Sequence, residues 1–197
     1  MSYDSDDFMT RHYRPSSLDL SQKIDELLEL TVPSSSIDHK FYREMMTTII
    51  RMAQADRDYW DVKLACQALV EMERAFHLLE QFKRRHKVTV FGSARTPPDD
   101  PLYIQARELG KLLARHDLMV VTGAGHGIMA AAHEGAGPSH SLGFNIRLPF
   151  EQHANDIVRG TEHLISFHYF FFRKLFFMTV AGALVLCPGG SGTLDEG

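Results

Sequence analysis

The sequence has little cysteine, no long apolar run and no excess of positive charge. Its two cysteines, Cys66 and Cys187, form neither a CxxC pair nor part of a metal-spaced cluster, which excludes a disulfide scaffold and favours a reducing cytoplasm. Residues 1–14 lack the apolar core of a signal peptide, and no run of about 18 apolar residues is present to span a membrane. A net charge of -4 predicts no general attraction to nucleic acid or to an anionic membrane.

What the sequence does contain is enough apolar residues for a core, since 44% of its 197 residues are hydrophobic and 23% are charged. Polar residues, prolines and serines in 1–34 predict a flexible arm with one short helix. Apolar side chains at helical spacing over 35–85 predict a helical extension, which the pattern Ser35-x-x-Asp38 is expected to cap. The region 86–197 has a different periodicity and is predicted to be a separate domain.

The alternation of strand-like and helix-like segments in this third region predicts its fold class. The expected elements, in chain order, are strand 88–91, helix 103–115, strand 118–122, helix 128–133, strand 142–146, strand 163–166, helix 169–179 and strand 183–187. Such a βαβ series predicts an α/β, Rossmann-like, doubly wound parallel sheet with right-handed crossovers. Ligands of such sheets bind beyond the carboxyl ends of the strands.

Three of the expected strand-to-helix loops are rich in glycine, namely 92–95, 123–127 and 189–193. A loop without bulky side chains lets an anion approach backbone N–H groups, and the helix dipole adds about 0.3 to 1 kcal/mol at each helix N-terminus. One such loop is more often only a tight turn. Three at the same edge of one sheet predict a phosphate or nucleotide site.

The standard nucleotide motifs match these loops only in part. The dinucleotide fingerprint would need a glycine at Ile128, and the loop 189–193 has no P-loop lysine. Thr193 stands where a serine hydrolase's nucleophile elbow ends in glycine, which disfavours that class. An NADP-type site that uses Arg147 for a 2′-phosphate stays open as an alternative.

Charged residues also stand at unexpected positions. Glu196 falls about one turn inside the helix expected after 189–193, where it either faces a bound ribose or only favours the helix dipole. Arg173 and Lys174 interrupt the apolar segment 169–178, which should be buried or lie in a subunit interface. A charge there needs a partner, such as a ligand phosphate, or must reach solvent.

These motifs together resemble the Lonely Guy (LOG) family, over roughly residues 86–197. The residues that carry the resemblance are Phe91-Gly92-Ser93-Ala94-Arg95, Val121 to Met129, Gly143-Phe144-Asn145-Ile146, Phe172-Arg173-Lys174, and Pro188-Gly189-Gly190-Ser191-Gly192-Thr193 with Glu196. The resemblance implies a phosphoribohydrolase that cleaves the N-glycosidic bond of a nucleoside 5′-monophosphate. AMP and cytokinin ribotides are the implied substrates, and free base and ribose 5-phosphate are the products.

The resemblance also implies roles for single residues. Arg173 and Glu196 would be the catalytic pair. The remaining implied contacts are Gly189, Gly190, Gly192 and Thr193 for the 5′-phosphate, and Ser93, Gly123, Gly125, Asn145 and Lys174 for the nucleotide pocket. No cofactor is expected. No metal is expected either, because the eleven histidines show no ligand spacing, and only His126 is expected near the site.

Family members work as dimers or larger oligomers, so a homo-oligomer is implied, with 169–178 as its expected interface. The helical extension looks like that of longer bacterial members, and Ala124 replaces a glycine common in the family. Because the chain stops at Gly197, directly after Glu196, the C-terminal part of the fold is expected to be missing. The alternative to an enzyme from the same loops is a non-catalytic nucleotide sensor.

Overall fold

The computed structural model describes residues 18–33, 35–36, 38–147, 153–190 and 193. The helices of this part are α1 (Leu18–Glu29), α2 (His39–Gln54), α3 (Tyr59–Glu80), α4 (Pro101–Arg115), α5 (Ile128–Ala136) and α6 (Phe170–Val180). The strands are β1 (Lys87–Phe91), β2 (Met119–Thr122), β3 (Ser141–Ile146), β4 (Leu164–Phe167) and β5 (Ala183–Leu186). The chain divides into two compact units, Met1–Ala65 and Cys66–Gly197.

The first unit holds α1, α2 and the beginning of α3. Arg43 on α2 pairs with Asp25 on α1, with 2.6 Å between Nε and Oδ1. This pairing lowers the pKa of the Asp25 carboxyl from its ordinary value, because the charged carboxylate accepts the guanidinium hydrogen bond. Phe41 and Ile49 on α2 stay more than half exposed.

The cap predicted from Ser35 and Asp38 is wrong. The helix α2 begins at His39, and the side chain of Asp38 makes no capping hydrogen bond. Asp38 already has helical dihedral angles, φ -78° and ψ -18°, whereas a capping side chain is usually placed by an extended backbone. The Asp38 N–H instead donates to the Ser36 hydroxyl at 3.3 Å.

The second unit is built on a five-stranded sheet whose neighbouring strands are all parallel, in the order β4-β3-β2-β1-β5. The chain steps outward from β1 to β4 and then returns to place β5 on the other side of β1. This reversal creates a topological switch point between β1 and β5. The predicted α/β, Rossmann-like fold class is confirmed.

Apolar side chains alternate between the two faces of the strands and form one core on each face. Val90 and Val120 belong to the core that includes apolar residues of α4 and α5. Phe91 and Phe144 belong to the core that includes Phe176 on α6 and partly buried residues of α3. The inner strands of the sheet are therefore covered on both faces, as is typical of parallel sheets.

The strands differ in burial from the centre of the sheet to its edge. Every residue of β1 and β2 is buried, whereas Leu184 and Leu186 on the edge strand β5 are about half exposed. Among the helices that the structure describes, none combines the length and apolarity that crossing a bilayer requires.

Candidate functional site

A cavity of about 670 Å³ lies at the carboxyl edge of the sheet, where the loops after β1, β2, β3 and β5 and the helix α6 meet. The predicted site residues that line it are Ser93, Gly123, Gly125, Asn145, Arg173, Gly190 and Thr193. Its volume is in the range of small-molecule sites, about 300 to 1,000 Å³. The loops after β1 and β5 flank the switch point, so the cavity lies where this fold class binds ligands.

Other predicted site residues are not in this group. Gly192 and Glu196 lie outside the described residues. Gly189 and Lys174 are described but do not line the cavity. Lys174 follows Arg173 on α6, and because an α-helix turns by about 100° per residue, the two side chains leave the helix in different directions.

Arg173 is the buried charge of the cavity wall, with only 6% of its surface exposed. Its Nε donates a hydrogen bond to the Phe144 carbonyl oxygen on β3 at 2.7 Å. Its guanidinium carbon lies 5.4 Å from the centre of the Phe177 ring. These contacts compensate part of the desolvation of the cation and hold it in place.

Gly123 leaves the space that the Arg173 guanidinium fills. A Cβ atom at position 123 would overlap Arg173 Nη2 and would stand 3.0 Å from Met129 Sδ. Glycine at this position therefore lets the loop after β2 lie directly against the buried cation.

The three glycine loops are linked through Ser93. Gly127 has φ +59°, and a Cβ there would overlap the Ser93 carbonyl oxygen, so the loop after β2 needs a glycine at this close approach. The same oxygen accepts the Ile128 N–H at 3.0 Å. Across the switch point, the Ser93 N–H donates to the Pro188 carbonyl oxygen at 3.4 Å.

Ala124 holds a left-handed backbone conformation in the middle of the loop after β2. Its φ is +60°, which costs a residue with a side chain roughly 1 to 2 kcal/mol relative to the right-handed region. Its N–H donates to Thr122 Oγ1 at 2.9 Å, and its carbonyl oxygen accepts the Asn155 N–H at 2.8 Å. The hydrogen bonds on both sides of Ala124 keep this conformation in place.

The cavity wall also contains residues that the sequence analysis did not assign to it, such as Arg95, Met129 and His153. Arg95 belongs to the glycine loop 92–95 and follows Ser93 by two residues, so its place in the sequence could have predicted its position at the cavity. His153 lies in no motif that would have identified it. The exposed His126 lines the cavity as expected, but it is not the only histidine there, because His153 lines the cavity too.

Arg147 lines a different cavity, of about 250 Å³, together with Glu71, Arg74 and Ser166. The NADP-type alternative therefore has no support from the position of this arginine. In the part of the chain that the structure describes, no three His, Cys, Asp or Glu side chains are grouped so that they could hold a metal ion.

The family model of the SLOG cluster4 family matches residues 85–197. No curated protein matches the chain significantly. Among solved structures, the chain is similar to the structural-genomics protein TM1055, at 24% identity and a TM-score of 0.45, over 56% of this chain and 65% of that one. Two structures of the molybdenum cofactor (Moco) carrier protein from Chlamydomonas reinhardtii match at 26% and 25% identity, with TM-scores of 0.44 and 0.43, over 57% of this chain and 68% of theirs. The chain thus covers just under two thirds of the length of TM1055.

Proposed function

We propose, since this chain belongs to the SLOG cluster4 family, that it is a nucleoside 5′-monophosphate phosphoribohydrolase. The family match confirms the resemblance to LOG proteins. The proposed reaction hydrolyses the N-glycosidic bond of AMP or of a cytokinin ribotide to free base and ribose 5-phosphate. The observation that carries the proposal is the cavity in which Arg173 and three glycine loops meet at the switch point of the sheet.

The 5′-phosphate is proposed to bind at the loop 189–193. Gly190 and Thr193 line the cavity, and the Thr193 N–H donates to the Gly190 carbonyl oxygen at 3.0 Å. No described atom lies within 4 Å of the place that a Cβ of Gly190 would occupy. Among the described atoms, none blocks the approach of an anion to the backbone at Gly190.

In the proposed reaction, the oxygen of a water molecule forms a bond to C1′ while the bond from C1′ to the base nitrogen breaks. The electron pair of that bond leaves with the base, which takes up the proton that the attacking water loses. Positive charge develops on the sugar, and a carboxylate close to C1′ stabilises it. Glu196 is the proposed carboxylate, and Arg173 is proposed to orient it or to stabilise the departing base.

This function is tested by incubating the protein with AMP and with isopentenyladenosine monophosphate and measuring the released base by chromatography. We expect Glu196→Gln to slow the release by about 100- to 10,000-fold, because the charge near C1′ is lost. Glu162→Gln, at an exposed glutamate that does not line the cavity, is the matched control and should keep the wild-type rate. Nucleotide binding without base release would favour the non-catalytic sensor, and a fully active Glu196→Gln would contradict the proposed carboxylate.

A second copy of the chain is proposed to cover the exposed side of α6, as a cytoplasmic homodimer or larger homo-oligomer. On this helix Phe176 and Phe177 are buried, but Phe171 is 69% and Met178 is 76% exposed. Large exposed apolar side chains on one helix are typical of an interaction surface. Sedimentation of Phe171→Glu/Met178→Glu should show smaller particles than wild type, whereas Leu112→Glu on α4, also half exposed, should not change the assembly.

A further inference from the structure

A fully buried histidine lies beneath the loop that follows β2, and the proposed chemistry does not use it. His133 on α5 is 0% exposed and does not line the cavity. Its Nε2 is 3.2 Å from Thr122 Oγ1. Its Nδ1 is 3.4 Å from Oδ1 and 3.2 Å from Nδ2 of Asn155. The ring therefore bridges the end of β2 and the segment that holds Asn155.

The neighbouring hydrogen bonds fit one neutral tautomer of this ring. Thr122 Oγ1 accepts the Ala124 N–H, and its hydroxyl proton can donate to His133 Nε2. Asn155 Nδ2 donates to the Gly125 carbonyl oxygen at 3.0 Å, and the amide oxygen can accept a proton from His133 Nδ1. A neutral imidazole with its proton on Nδ1 satisfies all of these contacts.

Burial favours the same state. Desolvation lowers the pKa of His133 to about 4, so the ring is uncharged at neutral pH. A protonated ring would direct a second N–H towards Thr122, so the Thr122 hydroxyl could no longer donate to Nε2.

The network ends on the two backbone groups that shape the cavity wall. One end is the N–H of Ala124, the residue with the left-handed backbone, and the other is the carbonyl of Gly125, which lines the cavity. Gly123, directly before them, lies against the Arg173 guanidinium. A shift of the imidazole would therefore move the loop and the space that Arg173 fills.

We propose that His133 is a positioning residue of the nucleotide pocket, whose Nδ1-protonated ring joins Thr122 to Asn155 and so sets the backbone of Ala124 and Gly125. The effect on nucleotide binding rests on the proposed function, whereas the effect on the loop does not. Because misplacing a binding wall by about 1 Å costs up to about 100-fold, we expect loss of the ring to raise the KM for AMP at least about tenfold and to change kcat less.

The tautomer is tested first, by NMR of the ¹⁵N-labelled full chain. We expect His133 to show a protonated Nδ1 and an unprotonated Nε2 from about pH 7 down to about pH 5. An Nε2-protonated or doubly protonated ring in this range would overturn the proposal, whatever the activity of the protein.

The positioning role is tested with His133→Leu, His133→Asn and a control, Ala132→Gly. The control weakens the interior of the same helix without touching the network. We expect His133→Leu to speed amide hydrogen exchange of residues 123–127 and to raise the KM, each at least about tenfold, and the control to change the exchange by at most about fivefold and the KM by less than about twofold. His133→Asn, whose amide can still donate to Asn155, should restore part of the loss.

The outcomes separate the two proposals. If the wild-type chain releases no base from AMP, the proposed function fails, and loop exchange alone still decides the role of His133. If His133→Leu and Ala132→Gly show the same exchange and the same KM, the positioning role is refuted. Should His133→Leu not fold, His133→Phe, which keeps a planar ring without polar atoms, is expected to give the same loop exchange and KM effects.

Discussion

The loops that follow β2 and β5 border the same cavity but are supported differently. The loop after β2 leaves a fully buried central strand, and hydrogen bonds to Thr122 and Asn155 hold its backbone on both sides of Ala124. The loop after β5 follows a strand whose Leu184 and Leu186 are about half exposed. No described atom lies within 4 Å of the place that a Cβ of Gly190 would occupy. Among the described residues, hydrogen bonds hold the backbone of the loop after β2, whereas no described atom fills the space beside Gly190.

The largest expected effect comes from substitution of Arg173, the cation that lies against the loop after β2. Arg173→Lys removes the Nε hydrogen bond to Phe144 and the planar fork of the guanidinium, so we expect base release from AMP to slow by about 100- to 10,000-fold. The exposed Arg107→Lys on α4 is the control. If the rate of base release falls less than tenfold in a folded Arg173→Lys protein, Arg173 is not a catalytic residue.

His133, which lies beneath the loop after β2, should also make the stability of the fold depend on pH. The folded pKa of His133, about 4, lies below its ordinary value of 6.5, so the unfolded chain binds a proton first as the pH falls. The stability that the neutral ring provides is complete above about pH 6.5 and decreases towards pH 4, by on the order of 3 kcal/mol. Urea unfolding at both ends of this window measures it, and His133→Leu should lack this component.

Gly123→Ala tests whether the contact between the loop after β2 and the Arg173 guanidinium is needed for activity. The new Cβ would displace a guanidinium whose Nε is held by the Phe144 carbonyl, so we expect kcat/KM to fall about 100-fold. Activity and thermal unfolding of the variant give the measurement. Wild-type activity would mean that Arg173 can move without consequence.

Gly190→Ala tests the loop after β5 and should have the smallest effect. No described atom opposes the new methyl group, so the free energy of unfolding should change by less than about 0.5 kcal/mol. The methyl group would instead stand at the proposed phosphate site, and we expect the affinity for AMP to fall about tenfold. Unchanged affinity in a titration would mean that this loop is only a turn and that the phosphate binds elsewhere.

Much of the fold could be predicted because strand and helix periods are local properties. The strand expected at 183–187 is β5 (Ala183–Leu186), and the helix expected at 169–179 is α6 (Phe170–Val180). The Ser35 cap was wrong because the dihedral angles of Asp38, which no short pattern specifies, decided its geometry. His153 could not be placed because only the folded chain brings it to the cavity.

By itself, the sequence determined that strands alternate with helices and that glycines follow three of the strands, since both depend on residue type and short spacing. Only the tertiary structure decided that Thr122, His133 and Asn155 meet beneath one loop and that Arg147 lines another cavity. The reason is physical: these arrangements depend on the order of strands in the sheet and on side-chain packing between residues far apart in the chain.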